Sequence, residues 1–193
     1  MERLIKIAAD LLDFCEARSW RACVIGGLAV QRWGEPRLTR DVDLSLLTGF
    51  GDEENFVDSL TESYQARIQE AKAFALRNRV LLLAKDGVGI DVALAAIPFE
   101  ERVIERSSWF EFLPGVNVKT CSAEDLIVYK AFADRPRDWV DIEGVLVRQG
   151  SNLDLERIEF ELRPLVTAKE APGILTRLKH MLHSAPCDLR DLE

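Results

Sequence analysis

At 193 residues and 48% hydrophobic composition, the chain has the length for one well-buried domain and a smaller helical appendage, but not for two full domains. A net charge of -8 argues against broad, sequence-independent nucleic-acid binding, which depends on Lys and Arg displacing counterions from phosphates, although a local basic groove is still compatible with it. No apolar run approaches the roughly 20 residues that span a bilayer, and Met1-Glu2-Arg3 followed by an amphipathic segment is not a signal-peptide start, so a soluble cytoplasmic protein with no membrane partner is expected.

Leu4, Ile7, Ala8, Leu11, Leu12 and Cys15 recur at helical spacing, which predicts an amphipathic helix from about Arg3 to Arg18. A short run of β-formers, Ala22 to Ile25, then ends on Gly26-Gly27, and Leu28 to Trp33 fits a helix that starts on the glycine pair and stops at Gly34. From Asp41 to Leu47 the residues alternate, placing Asp41, Asp43 and Ser45 on one strand face and Val42, Leu44 and Leu46 on the other. The segment Arg67 to Lys85 carries Arg67, Lys72, Arg77, Arg79 and Lys85 against Glu70 alone; it is either an acceptor-facing surface or a solvated helix face and loop. Within and after it, Arg79 to Ala84 and Val88 to Ala95 read as strands joined by an Asp86-Gly87 hairpin turn.

Beyond about Pro114 the texture becomes helical. Ser122-Ala-Glu-Asp125 resembles a capping box, and helices are predicted at Ala123 to Ala133, Pro136 to Arg148, Asp154 to Arg163 and Pro172 to His183, the first and third stopped by Pro136 and Pro164. This divides the chain into a core at 1–120 and a helical region at 121–193 packed on it. Cys15, Cys23, Cys121 and Cys187 lack zinc-ligand spacing and read as reduced thiols. His180 and His183, at i and i+3, are read as a solvated helix end rather than a metal pair, and Trp20, Trp33, Trp109 and Trp139 as core or rim, with base stacking open for Trp33.

The chemistry lies in a set taken in order: Gly26-Gly27, then Arg37-Leu-Thr-Arg-Asp-Val-Asp43, then Ile90-Asp91-Val92. Carboxylates at i and i+2 of a strand sit about 7 Å apart on one face, close enough to bracket metal ions roughly 3.5–4 Å apart, with Asp91 arriving from a later strand. Three acids converging without cations repel one another, so a divalent metal makes sense of them, and hard oxygen donors select magnesium or manganese. Taken singly, each aspartate is also what an ordinary edge strand carries. Glycines at a strand-to-helix junction let the backbone approach a phosphate at a helix N-terminus, although Gly-Gly alone is also a common tight turn. Arg37 and Arg40 either neutralise phosphate oxygens or pair with the aspartates.

The runs Val24-Ile-Gly-Gly-Leu-Ala-Val30, Arg37-Leu-Thr-Arg-Asp-Val-Asp-Leu44, Gly89-Ile-Asp-Val-Ala93, Glu124-Asp-Leu-Ile-Val-Tyr-Lys130 and Arg137-Asp-Trp-Val-Asp141 resemble the AbiEii-like, or minimal, nucleotidyltransferases of the polymerase β-type superfamily. That resemblance implies an α+β nucleotidyltransferase fold, with a mixed sheet of about four to six strands flanked by helices and a C-terminal helical region. It implies transfer of a nucleoside monophosphate from NTP to an acceptor with release of pyrophosphate. Asp41, Asp43 and Asp91 would then be catalytic and hold Mg2+ or Mn2+. Gly26, Gly27, Arg37, Arg40 and Lys130 would bind the nucleotide, with Thr39, Arg137, Asp138 and Asp141 in support. Asp138 and Asp141 either orient Lys130 or Arg137 or form a helix-surface ion-pair set. Many members of the superfamily carry Gly-Ser where this chain has Gly26-Gly27, so a hydroxyl contact to phosphate is missing there. The acceptor expected first is RNA, as for a tRNA-directed toxin with a cognate antitoxin. Protein nucleotidylation, antibiotic modification and a silent nucleotide- or partner-binding domain are the alternatives.

Overall fold

The computed structural model describes residues 1–184 and resolves into two compact units, Met1–Leu28 with Leu38–Cys121, and Ala29–Arg37 with the chain from Ser122 on. The elements of the first unit are α1 (Glu2–Glu16), β1 (Ala22–Ile25), the first turn of α2 (Gly26–Trp33), β2 (Asp41–Leu47), α3 (Glu53–Ser63), β3 (Gln65–Ala66), α4 (Ala71–Asn78), β4 (Val80–Lys85), β5 (Val88–Ala95), α5 (Pro98–Arg106), β6 (Ser108–Leu113) and β7 (Val116–Thr120). Its strands form one mixed sheet in the order β3-β4-β5-β2-β1-β7-β6, seven among the described residues where the sequence reading expects about four to six. The strands not named from the sequence are β3, two residues long, β6, whose first four residues are all exposed, and β7, its hairpin partner.

The centre of the sheet follows from the pattern of apolar residues. Val42, Leu44 and Leu46 of β2 and Ile90, Val92 and Leu94 of β5 point to one side, where they are buried in a core with Leu81 and Leu83 of β4 and the Leu4, Ile7, Ala8, Leu11, Leu12 and Cys15 stripe of α1. Each fully buried aliphatic side chain contributes about 1.5–3 kcal/mol, so this layer fixes which face of β2 looks inward. The polar alternates, Asp41 and Asp43, are left on the other face with Ser45. β4 and β5 join at Asp86 (φ 51°) and Gly87 (φ 78°), both left-handed as a two-residue hairpin turn requires.

The second unit is helical: α6 (Ala123–Ala133), α7 (Pro136–Gln149), a single 3-10 turn at Gly150–Asn152, α8 (Leu155–Ala168) and α9 (Gly173–Ser184). Ser122 caps α6, its hydroxyl accepting from the Asp125 N–H at 3.2 Å and donating to Asp125 Oδ2 at 2.9 Å; the acid at the third position thus reaches the cap's side chain. α6 packs against α7, α8 and α9 and buries most of its surface. The segment 29–37 lies close on α7: a side chain on Gly34 would meet Val145 Cγ2 at 2.9 Å, and one on Gly144 would meet the Glu35 nitrogen at 3.0 Å. Arg148 and Gln149 donate to the carbonyls of Gly34 and Trp33, each at 2.7 Å.

The helix expected to stop at Pro164 runs through it to Ala168. Proline removes one hydrogen bond, to the Phe160 carbonyl, but both residues lie on the outer side, with Phe160 68% exposed. The buried stripe Ile158, Glu161, Leu162 and Val166 carries the helix across. Cys15, Cys23 and Cys121 are buried free thiols, and burial pushes that of Cys15 up to about 12. Cys187 and the side chain of His183 lie outside the described residues; His180 is exposed on α9. Trp20 packs on Phe14 and Phe56, Trp139 is buried with its indole N–H donating to Asp134 Oδ1 at 2.7 Å, Arg32 stacks over Trp33, and Trp109 is exposed on β6. No described helix is long and apolar enough to cross a membrane.

Candidate active site

In the first unit, β2 and β5 are parallel neighbours in a register that sets Asp41 beside Gly89 and Asp43 beside Asp91. Neighbouring strands lie about 4.8 Å apart, so Asp43 and Asp91 face each other across one rung, and Asp41 sits one pleat away on the same face. A side chain on Gly89 would fall on the Asp41 carboxylate, 3.2 Å from its Cγ, so glycine there leaves room for the acid to lie over β5.

The strand-to-helix junction closes on the same group from β1. Ile25 pairs with Asp43, and Gly26 follows with φ +60°. A side chain on Gly26 would collide with the Asp43 carboxylate, 2.5 Å from its Cγ, so both backbone conformation and space demand glycine. Gly27, the second residue of α2, donates its N–H to Asp43 Oδ2 at 3.3 Å. Thr39 stands against Gly27, and Arg40 is exposed.

Arg67, directly after β3, is anchored by its backbone N–H to the Leu82 carbonyl at 3.0 Å, and its guanidinium forms an ion pair with Asp91. A side chain on Gly89 would also approach Arg67 Nη1 at 3.0 Å, which puts the cation over the rung shared with Asp41. The Asp91 carboxyl is raised above its usual range: burial is the main cause and the Asp41 charge adds to it, while Arg67 opposes both. Among the described residues no group of three or more His, Cys, Asp or Glu side chains is placed to hold a metal ion. What the strip offers is three oxygen donors on one face with a guanidinium supplying the positive charge they call for, a donor set that suits a hard divalent cation.

Of the other four basic residues of the 67–85 segment, three are answered by acids. Lys72 pairs with Asp58 at 2.8 Å and Glu54 at 3.2 Å, Lys85 with Asp10 at 2.9 Å, and Arg79 with Glu53, while Arg79 also donates to the carbonyls of Leu94 and Gly49. Arg77 is exposed. The segment is therefore mostly charge-neutralised, and Arg67 is its member at the carboxylates.

The second unit holds its own ion cluster. Asp141, 2% exposed, accepts from Arg37 in a fork, Nε to Oδ1 at 2.5 Å and Nη2 to Oδ2 at 2.8 Å, and its Oδ2 lies 2.8 Å from Lys130 Nζ. Lys130, 8% exposed, is also 2.9 Å from Asp138 Oδ1, and Asp138 accepts from Arg135 Nε at 2.6 Å. Burial pushes both carboxyls up, but the hydrogen bonds and charges of Arg37, Lys130 and Arg135 together outweigh it and hold them below the usual carboxylate range. Three cations, Arg37, Lys130 and Arg135, converge on two carboxylates. Asp138 and Asp141 thus hold Lys130, and Asp141 holds Arg37 as well; Arg137 points outward on α7.

The chain resembles known proteins in fold and in sequence. A solved nucleotidyltransferase-like antigen from Paracoccidioides brasiliensis matches at TM-score 0.52 and 16% identity, over 93% of this chain and 93% of that one. The antibiotic-resistance factor ANT(2″)-Ia matches in its solution structure at TM-score 0.53 and 18% identity, over 91% of this chain and 96% of its own. It matches again in a crystal structure with adenylyl-2″-tobramycin, at TM-score 0.55 and 16% identity, over 86% and 98%. At these identities the likeness shows the fold. No curated protein matches in sequence. The sequence model for the family described as nucleotidyl transferase AbiEii toxin, type IV TA system, matches residues 21–182, a span that includes the Gly-Gly turn, all three aspartates and the Lys130–Asp141 cluster. This protein belongs to the AbiEii nucleotidyltransferase family and is by that membership an enzyme that transfers nucleotide.

Proposed function

We propose that Asp41, Asp43 and Asp91 form the metal-binding catalytic group of this enzyme, and that it moves a nucleoside monophosphate from NTP to RNA as the toxin of a toxin–antitoxin pair. The observation that carries the catalytic assignment is the in-register pairing of Asp43 with Asp91, with Asp41 one pleat away, at the N-terminus of α2. Magnesium or manganese held there would neutralise phosphate charge and ease loss of the acceptor proton. Asp41 and Asp43 supply the oxygen donors of β2. Asp91 adds the third from β5, across the rung from Asp43, and in this reading helps take the proton from an incoming hydroxyl. The N-terminus of α2, whose Gly27 N–H already donates to Asp43, would favour a phosphate beside the carboxylates.

The toxin role and the antitoxin partner rest on the family's description as the toxin of a type IV TA system, and the RNA acceptor on the sequence resemblance alone. A second acceptor class, a small cationic molecule, is favoured by the net charge of -8 and by the neutralised basic segment. Incubation of the purified protein with magnesium and each α-labelled NTP, in the presence of total RNA, lysate protein or an aminoglycoside, separates the two. Label migrating with RNA supports the toxin reading, and label confined to protein or the aminoglycoside removes it.

Arg67 shares Asp91 with any bound cation, so Arg67→Ala is expected to lower the magnesium dissociation constant by about tenfold, because a full positive charge leaves the site. Calorimetric titration of both proteins with magnesium measures this. Weaker binding in Arg67→Ala would mean that Arg67 organises the carboxylates instead of competing for them.

A further inference from the structure

Gly27 and Thr39 share one volume. The Gly27 backbone is not left-handed, so its conformation would accept any L side chain; what forbids one is space. A Cβ on Gly27 would land on the Thr39 hydroxyl and lie 2.7 Å from Thr39 Cβ and 3.4 Å from Cγ2. The Thr39 side chain therefore occupies the position into which residue 27 would project from the first turn of α2, beside the N–H that donates to Asp43. Its hydroxyl is lightly held, with one long contact of 3.4 Å to the Asp41 carbonyl, and the side chain is only half-buried. A donor that turns at little cost, at a helix N-terminus and next to the catalytic aspartates, is suited to an anionic oxygen.

We infer that Thr39 supplies, from the loop before β2, the side-chain hydroxyl that contacts a nucleotide phosphate at the start of α2, in the place a side chain on residue 27 would fill. This rests on the nucleotidyl-transfer reading above. It makes Gly27 and Thr39 a compensating pair: glycine at 27 is the condition for threonine at 39, and the hydroxyl missing from the Gly-Gly turn is delivered from the facing loop.

Four proteins test it: wild type, Thr39→Val, Gly27→Ser, and the double variant Gly27→Ser/Thr39→Gly, in which position 39 gives up the Cβ that a side chain on residue 27 would strike. Thr39→Val keeps the shape and removes the donor, so it is expected to fold normally and to raise Kd and KM for NTP about tenfold or more, with kcat little changed, as for a contact made equally in ground and transition states. Gly27→Ser alone is expected to lower the melting temperature and weaken NTP binding, because serine and Thr39 compete for one space. The double variant returns a hydroxyl from the other side and is expected to recover both. Unchanged NTP affinity in Thr39→Val overturns the phosphate contact, and a double variant no better than Gly27→Ser overturns the shared volume. Wild-type protein that binds no NTP with magnesium would instead sink the nucleotidyl-transfer reading, and this inference with it.

Discussion

Asp43→Asn is expected to lower nucleotidyl transfer by more than about a hundredfold while leaving the protein folded. The size follows from position. Loss of an outer hydrogen-bond partner of a metal ligand already costs about 10- to 100-fold, and Asp43 sits at the centre of the proposed group, opposite Asp91 and one pleat from Asp41. Asparagine keeps the shape and can still accept from the Gly27 N–H, so the turn under α2 survives. It removes one of three like charges, so the melting temperature should hold or rise. A fall in activity matched by unfolding would assign Asp43 to the turn, and retained activity would remove it from catalysis. The check is initial rates with circular dichroism melting on the same samples.

Asp141→Ala is expected to be the most destabilising single change in the helical unit, by about 3–5 kcal/mol, the range for removing one partner of a buried ion pair. The carboxylate holds Arg37 and Lys130 at once, and Lys130 is almost fully buried, so its loss takes an acid from two cations together. It also cuts the link that ties Arg37, at the end of the 29–37 segment, to α7. The pH dependence has a fixed sign. Asp138 and Asp141 ionise below the ordinary 3.8 when folded, so their stabilisation is fully present well above pH 3.8 and is lost as the pH falls through their lowered folded values. Denaturant unfolding of wild type across pH 2–6 should therefore show stability dropping below about pH 4, and Asp141→Asn should flatten that drop. Equal slopes would show that the cluster does not govern acid stability.

The strip of aspartates was readable because its signal is periodic and local. Alternation in Asp41–Leu47 sets the acids on one face, and the Asp86-Gly87 turn announces the strand that carries Asp91. Parallel register between β2 and β5 is not written locally, since the chain between them passes through two helices and two other strands. The partners of the basic residues were hidden for the same reason: Lys85 meets Asp10 and Arg67 meets Asp91 only after folding, so composition alone left that segment looking like an open cationic surface. Helices of the second unit were legible from caps and periodicity, except where Pro164 looked like a stop and the buried face of α8 overrode it. The close fit of Gly27 to Thr39 spans a 12-residue gap with no pattern to mark it, and it gives the Gly-Gly turn a reason that the sequence does not.

The most direct test of the account follows the phosphate that moves. Matched incubations with α-labelled and γ-labelled NTP, magnesium and the acceptor mixture, run beside the Asp41→Ala/Asp43→Ala variant, report which phosphorus reaches the acceptor. Nucleotidyl transfer predicts label on the acceptor from the α position only, with γ label released in pyrophosphate and both signals lost in the variant. Transfer of γ label, or α label that persists without the two aspartates, would contradict it.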